Sequence, residues 1–253
     1  MRALRTLLVA ASVLVPIAVS SAAEPVPVKV LLIGDSLSVG GFGDRMQELL
    51  WRKYGRQSVA IFASCGSSPE DWLKGGFVTR CGYRQTTPFD EILHEYENGE
   101  RPRSVSTPKL RTVLSHYRPE VIIVQQGTNW MDALTGADSP DEARHRKIIA
   151  DFVRELRRNN PGALLFWILP PSSASYPEQV HLDVDRWINE ASRKMGFYTI
   201  NSRTITGPYR KSKTGGDGVH YSDKAGGDWA RAVYDKIAVS LAALPLAGST
   251  TGP

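Results

Sequence analysis

An α/β domain with a parallel sheet covered on both faces is the fold class predicted for these 253 residues. Three observations predict it. Short, almost continuous apolar runs recur along the chain, the pattern of strands buried on both faces. Stretches with apolar residues at helical spacing separate those runs, and several carry capping signals. No internal repeat is visible, so one domain with strands and helices in alternation is the economical arrangement.

Val28 to Ile33 (VKVLLI) is an apolar run ending in Gly34 and reads as the first buried strand. Asp44 to Tyr54 has helical spacing and stops at Gly55, and Ser58 to Ala63 is the second strand. Val121 to Gln126 and Ala163 to Leu169 are two further buried strands. Between them the spacing predicts a helix with Ser139 as N-cap, Pro140 in the first turn and Glu142 completing a capping box, running to about Asn160. A helix from about Glu178 to Lys194 precedes a fifth strand, Phe197 to Asn201, and Ser222 caps a last helix that continues to about Leu244. The exception to the alternation is Ser64 to Thr107, rich in Gly, Pro, Thr and charge. A segment of that length in a compact domain is functional or carries short elements of its own.

The termini read differently. Arg2 and Arg5 precede an apolar run from Leu7 to Val19, followed by small residues to Ala23. This is the pattern of a secretory signal peptide over 1–23; the run is shorter than the ~20 residues of a spanning helix, so cleavage is favoured over an uncleaved anchor. The expected organisation is a signal peptide, one domain over 24–247 and a disordered tail over 248–253, with a secreted or periplasmic product that does not stay inserted in a membrane.

Hydrophobic residues make up 42% and charged residues 23%, so a globular domain is expected and general disorder is not. The net charge of +5 falls to +3 once Arg2 and Arg5 leave with the signal peptide. With no dense basic block, dedicated nucleic-acid binding is excluded as an expectation. Cys65 and Cys81 are too few for a disulfide scaffold, but export permits a bond between them. No Cys-x-x-Cys or His/Cys cluster suggests a structural zinc.

Four short segments carry chemistry. Gly34-Asp35-Ser36 follows the first strand, where a serine can expose its hydroxyl and offer its backbone N–H to a developing oxyanion. A helix-capping serine in a Gly-Asp turn is the plain alternative. Asp217 and His220 stand three apart with a glycine between them; in a loop the carboxylate can fold back onto one ring nitrogen while the other faces a hydroxyl. An Asp-Gly turn beside a surface histidine is the alternative there. Asn129 follows the strand Val121 to Gln126 and can aim its amide into a site or satisfy local backbone. Gly66 ends the second strand, where a glycine can present an unobstructed N–H.

In order and spacing these four segments resemble the conserved blocks of the SGNH (GDSL-type) hydrolases, over Gly34 to His220. The resemblance implies a flavodoxin-like three-layer α/β/α sandwich. It implies Ser36 as nucleophile, His220 as general base and Asp217 as its orienter, with the N–H groups of Ser36 and Gly66 and the side chain of Asn129 as the oxyanion hole. The implied activity is hydrolysis of small acyl esters, acetyl groups on glycans foremost, with no metal and no organic cofactor. One departure stands out: the family's third block commonly continues Gly-x-Asn-Asp, and here Trp130 follows Asn129. Trp130 is either a sugar-stacking face or a structural residue. Transfer of the acyl group to a polysaccharide, lipase or thioesterase action, and an idle glycan-binding module are the alternatives. His94, His116, His145 and His181 receive no role, and His116 and His145 read as surface or boundary residues. Trp72, Phe77 and Phe89 are the side chains that could line a long-chain acyl site.

Overall fold

The computed structural model describes residues 28–79, 81–88, 91–94, 105–135, 141–210 and 217–242, with 91–94 described as backbone only. The signal peptide, the tail over 248–253, Ser139, Pro140 and Phe89 lie outside these residues.

The first strand, β1 (Val30–Gly34), is buried at every position, as its unbroken apolar run requires. Two helices follow, α1 (Ser36–Val39) and α2 (Gly41–Tyr54), and then β2 (Val59–Ser64), also buried throughout. The segment from Ser64 to Thr107 holds α3 (Pro69–Lys74), β3 (Val78–Thr79), β4 (Tyr83–Thr86), β5 (Glu91–His94) and β6 (Val105–Ser106). Next come α4 (Leu110–Tyr117), β7 (Val121–Gln125), α5 (Thr128–Leu134), α6 (Glu142–Arg157) and β8 (Leu164–Ile168). The chain closes with α7 (Glu178–Met195), β9 (Tyr198–Ile200), α8 (Ser202–Thr206) and α9 (Asp223–Ala242).

The main sheet runs β5-β4-β2-β1-β7-β8-β9. Strands β2, β1, β7, β8 and β9 are parallel, in the register Val59↔Val30↔Val121↔Leu164, and Phe166 pairs with Tyr198. Each strand's period of two divides its side chains between two cores. Leu31, Ile33, Ile122, Val124, Leu165 and Trp167 face the core shared with α4 to α7. Val30, Leu32, Val121, Ile123, Phe166 and Ile168 face the core shared with α2 and α9. The chain lays β2 on one side of β1 and β7 on the other, so the carboxyl end of β1 is the switch point where a parallel sheet opens a crevice.

The sheet is parallel at its centre, as expected, and β4 and β5 extend one edge antiparallel. Strand β4 has no apolar signature, and its Arg84 is wholly buried; the guanidinium donates to Val39 O at 2.9 Å, to Gln47 Oε1 at 3.3 Å and to the Asp44 carboxylate. A buried cation held by three acceptors fills a place that pattern reading reserves for an apolar residue. The N-cap of α6 is Asp141, not Ser139, because the Asp141 carboxylate accepts the Arg144 N–H at 2.9 Å. That helix also stops at Arg157, and Asn160 instead donates its side-chain amide to Pro119 O at 3.0 Å.

The cap of α9 is as expected, with Ala225 N–H donating to Ser222 Oγ at 3.3 Å. Close approach of α2 to the start of α9 depends on Gly41: a Cβ there would lie 2.4 Å from the Asp223 Cα. This contact sets the residues just before α9, His220 among them, beside α1 and α2.

Candidate active site

Ser36 opens α1 at the end of β1. Its turn is fixed by the neighbouring Asp35, whose Oδ1 accepts the Leu37 N–H at 3.0 Å. The Asp35 N–H donates to Gln125 O at 3.2 Å, and Ser38 Oγ donates to Gln125 Oε1 at 2.7 Å. The start of α1 is thus bolted to the adjacent strand, and Ser36 alone in it is partly exposed while Leu37, Ser38 and Val39 are buried. Burial pushes the Asp35 carboxyl up to about 6, against the opposing pull of the Leu37 N–H, Gln125, Thr128 and the charge on His220.

Asp217 and His220 form a local turn ahead of α9. Asp217 Oδ1 accepts the N–H groups of Val219 at 2.9 Å and His220 at 2.8 Å, and its Oδ2 accepts His220 Nδ1. Burial alone would raise this carboxyl, but the hydrogen bonds from the His220 ring, His220 N–H and Val219 N–H outweigh it and hold Asp217 at about 2. An ionised carboxylate only accepts, so Nδ1 carries the hydrogen of this bond and Nε2 is the ring nitrogen left for proton exchange.

Ser36 and His220 line one open cleft of about 370 Å³ with Val39, Gly40, Asp44, Gly82, Asp223 and the cystine Cys65–Cys81. The cystine spans Cα atoms 5.5 Å apart, so the two cysteines pair as expected. A larger hollow of about 580 Å³ lies along β9 and α9, but it holds no comparable pair of nucleophile and base.

Neither Asn129 nor Gly66 lines this cleft. Gly66 is exposed in the turn after β2, at φ +84°, next to Cys65. Asn129 sits in the first turn of α5, and its amide donates to Ser67 O at 2.8 Å, one residue beyond Gly66. Ser67 is itself held by Ser64, its N–H and Oγ reaching Ser64 O at 3.1 and 2.7 Å. One hydrogen of the Asn129 amide therefore secures the Gly66 turn.

Trp130 is 3% exposed and belongs to the core, its ring edge-on to His145 at 5.5 Å. The sugar-stacking alternative is withdrawn: the side chain after Asn129 points into the protein. His145 is 6% exposed and stacks on Trp187 at 5.0 Å, which corrects its reading as a surface or boundary residue; His116 is exposed. Trp72 is fully buried and donates Nε1 to Ser67 Oγ at 3.1 Å, so it supports the turn and is no acyl-chain lining. Sequence reasoning missed Asp44 and Asp223 in the cleft and Gln125 behind it. The first two sit at helix starts, where an acidic residue is ordinary and draws no notice.

No family model matches the chain, and no curated protein does. Solved structures do. A psychrotrophic esterase EstA from Pseudoalteromonas sp. aligns with a TM-score of 0.57 at 15% identity, covering 85% of this chain and 98% of that one. A peptidoglycan O-acetylesterase gives 0.58 at 12% identity, over 86% of this chain and 92% of that one. A carbohydrate esterase family 3 protein from Talaromyces cellulolyticus gives 0.54 at 12% identity, over 86% and 100%. The fold is that of the SGNH hydrolases. Within the SGNH fold these neighbours are esterases, and at such identities the likeness is one of architecture. Among the described residues no helix is long and apolar enough to cross a membrane.

Proposed function

We propose that the chain is an exported serine esterase that removes small acyl groups, acetyl foremost, from a glycan or a small alcohol. One observation carries the reading: Ser36, at the switch point of the sheet, shares a cleft with His220, whose other ring nitrogen is held by an ionised Asp217. That is the arrangement a hydroxyl nucleophile needs.

In this reading His220 Nε2 takes the Ser36 proton as Oγ attacks the ester carbonyl. The Ser36–carbonyl bond forms, and the carbonyl oxygen becomes an oxyanion facing the N–H groups of Ser36 and Gly66 and the second hydrogen of the Asn129 amide. Collapse expels the alcohol, which receives its proton from His220. Water, deprotonated by the same ring, then releases the acid from Ser36. Asp217 keeps the ring in one tautomer and offsets its positive charge.

The substrate class rests on the cleft, whose walls are small, polar or acidic, and on the activities of two structural neighbours, a peptidoglycan O-acetylesterase and a carbohydrate esterase. Export is supported by the Cys65–Cys81 cystine, since such bonds persist in oxidising compartments. The test is a hydrolysis screen of acetyl to octanoyl esters and acetylated glycans, with a glycan acceptor present in one arm and Ser36→Ala as control. Release of acetate that depends on Ser36 supports the reading; activity equal in the control sinks it, and acyl transfer to the acceptor makes the protein a transferase.

A further inference from the structure

The Asp217–His220 turn is complete in itself, and its internal hydrogen bonds do nothing to fix it relative to Ser36. Besides the α2–α9 contact at Gly41, a restraint on the turn itself comes from the segment after β8, whose sequence is Pro170-Pro171-Ser172-Ser173-Ala174-Ser175-Tyr176-Pro177. Gly218 O accepts from both Ser173 Oγ and Ala174 N–H, each at 2.8 Å. Ser175 Oγ donates to Asp217 O at 2.9 Å, and Tyr221 OH donates to Ser172 O at 2.6 Å. Ser173 Oγ also accepts the Ser175 N–H at 3.1 Å, so the two serines hold each other in place. Gly218 lies at φ +83°, and a Cβ there would come within 2.4 Å of Ser175 Oγ, so the turn and the segment touch at van der Waals limits.

The segment can act as a fixed point. Prolines at both ends limit its backbone freedom, and it leaves the sheet from β8, which pairs with β7, which pairs with β1. Three adjacent parallel strands thus deliver Ser36, Asn129 and this strap to one edge of the sheet. From below, the buried His181 packs against the strap through an edge contact to Tyr176 at 6.2 Å.

We propose that Ser173 and Ser175 are positioning residues that set the distance and angle of the Asp217–His220 pair toward Ser36. The proposal rests on the esterase reading above. Neither serine touches substrate; both act through the backbone carbonyls of Asp217 and Gly218. A displacement of about 1 Å at a reacting group can cost on the order of 10² in rate. Removing both hydroxyls leaves only the Ala174 N–H and Tyr221 bonds, and the histidine then samples arrangements that do not reach the nucleophile.

The test compares wild type with Ser173→Ala/Ser175→Ala and with Ser173→Thr/Ser175→Thr, measuring kcat and KM on an acetyl ester. The rate at which a phosphonate ester probe labels Ser36 is followed in parallel. The alanine pair is expected to lose about 10- to 100-fold in kcat, with KM within about twofold, and to slow labelling by the same factor. The threonine pair, which keeps both hydroxyls, is expected to stay within about threefold of wild type, the scale of a small residual misplacement. Gly218→Ala, which pushes the strap away, is expected to reproduce the loss in kcat in protein that circular dichroism shows to be folded. Wild-type kcat in the alanine pair, or a loss that threonine does not restore, overturns the proposal. Ser36→Ala separates the two claims: if it keeps turnover the esterase reading fails, whereas a dead Ser36→Ala beside a fully active alanine pair removes the strap alone.

Discussion

The side-chain amide of Asn129 donates to Ser67 O, which ties the end of β7 to the turn that carries Gly66. Two donors proposed for the oxyanion are thereby linked to each other before any substrate arrives. Preorganisation of this kind lets an oxyanion site stabilise charge without rearranging during the reaction.

Replacing Asn129 therefore removes a donor and loosens a second one. Asn129→Ala is expected to lower kcat by about 10²–10³-fold with little change in KM. Asn129→Asp should be worse than alanine, because its carboxylate would face both Ser67 O and the developing negative charge. Steady-state kinetics on an acetyl ester decide this, and an aspartate variant more active than alanine would contradict the role.

The cystine closes a loop with a sequence separation of 16, and both of its cysteines line the cleft. A loop of that size corresponds to about 3 kcal/mol in the chain-entropy account. Cys65→Ser/Cys81→Ser is expected to unfold at lower temperature by a comparable free energy and to lose activity before it unfolds, since Cys65 adjoins Gly66. Thermal melts and activity, with and without reductant, give the comparison; reductant that leaves both unchanged would show that the bond does neither.

The buried Asp35 and the half-buried Asp185 predict how stability responds to acid. Burial raises Asp35 to about 6 and Asp185 to about 6, each from an ordinary value of 3.8. In the folded protein they hold their protons to higher pH than in the unfolded chain, so they favour folding below 3.8 and that benefit is lost as pH rises through 6. Asp217 and Glu142 act oppositely: both are held at about 2, and their contribution is lost only as pH falls below about 4. Asp35→Asn/Asp185→Asn should therefore flatten the decline in stability between pH 4 and pH 6 and be more stable than wild type at pH 7, on the scale of about 1.4 kcal/mol per pKa unit at most. Urea unfolding across that range checks it, and an unchanged slope would contradict it.

Acyl chain length follows from what the cleft lacks. Val39 and the cystine are its main apolar walls, and Trp72 is turned into the core. Each methylene buried would contribute about 0.8 kcal/mol, so a site for long chains needs more apolar lining than this. Acetyl and propionyl esters are expected to have higher kcat/KM than octanoyl esters, and the reverse order would show that the acyl group lies elsewhere.

Much of the fold was legible because its central strands are buried on both faces and leave uninterrupted apolar runs, as at Val30–Gly34 and Val121–Gln125. The antiparallel edge was not, because β4 carries Tyr83, Arg84, Gln85 and Thr86, and the buried Arg84 and Thr86 are held by Gln47 of α2, which is distant in sequence. The cap of α6 was misplaced because the helix begins at Glu142, after the cap Asp141, two residues beyond the start that the capping-box pattern indicates. At the site, residue type and spacing made Ser36, Asp217 and His220 candidates beside a capping serine and an Asp-Gly turn, and the resemblance to the SGNH blocks is what singled them out. The strap did not: its contribution comes from serine hydroxyls meeting backbone carbonyls more than 40 residues away, which leaves no pattern in composition or period.

The central claim is that Ser36 carries the acyl group and His220 activates it. Turnover of an acetyl ester by Ser36→Ala, His220→Ala and the double variant, each shown folded by circular dichroism, tests it most directly. The account predicts that either single change abolishes nearly all turnover and that the double variant is little worse than one, because the two act as a unit. Wild-type turnover by purified Ser36→Ala would contradict it.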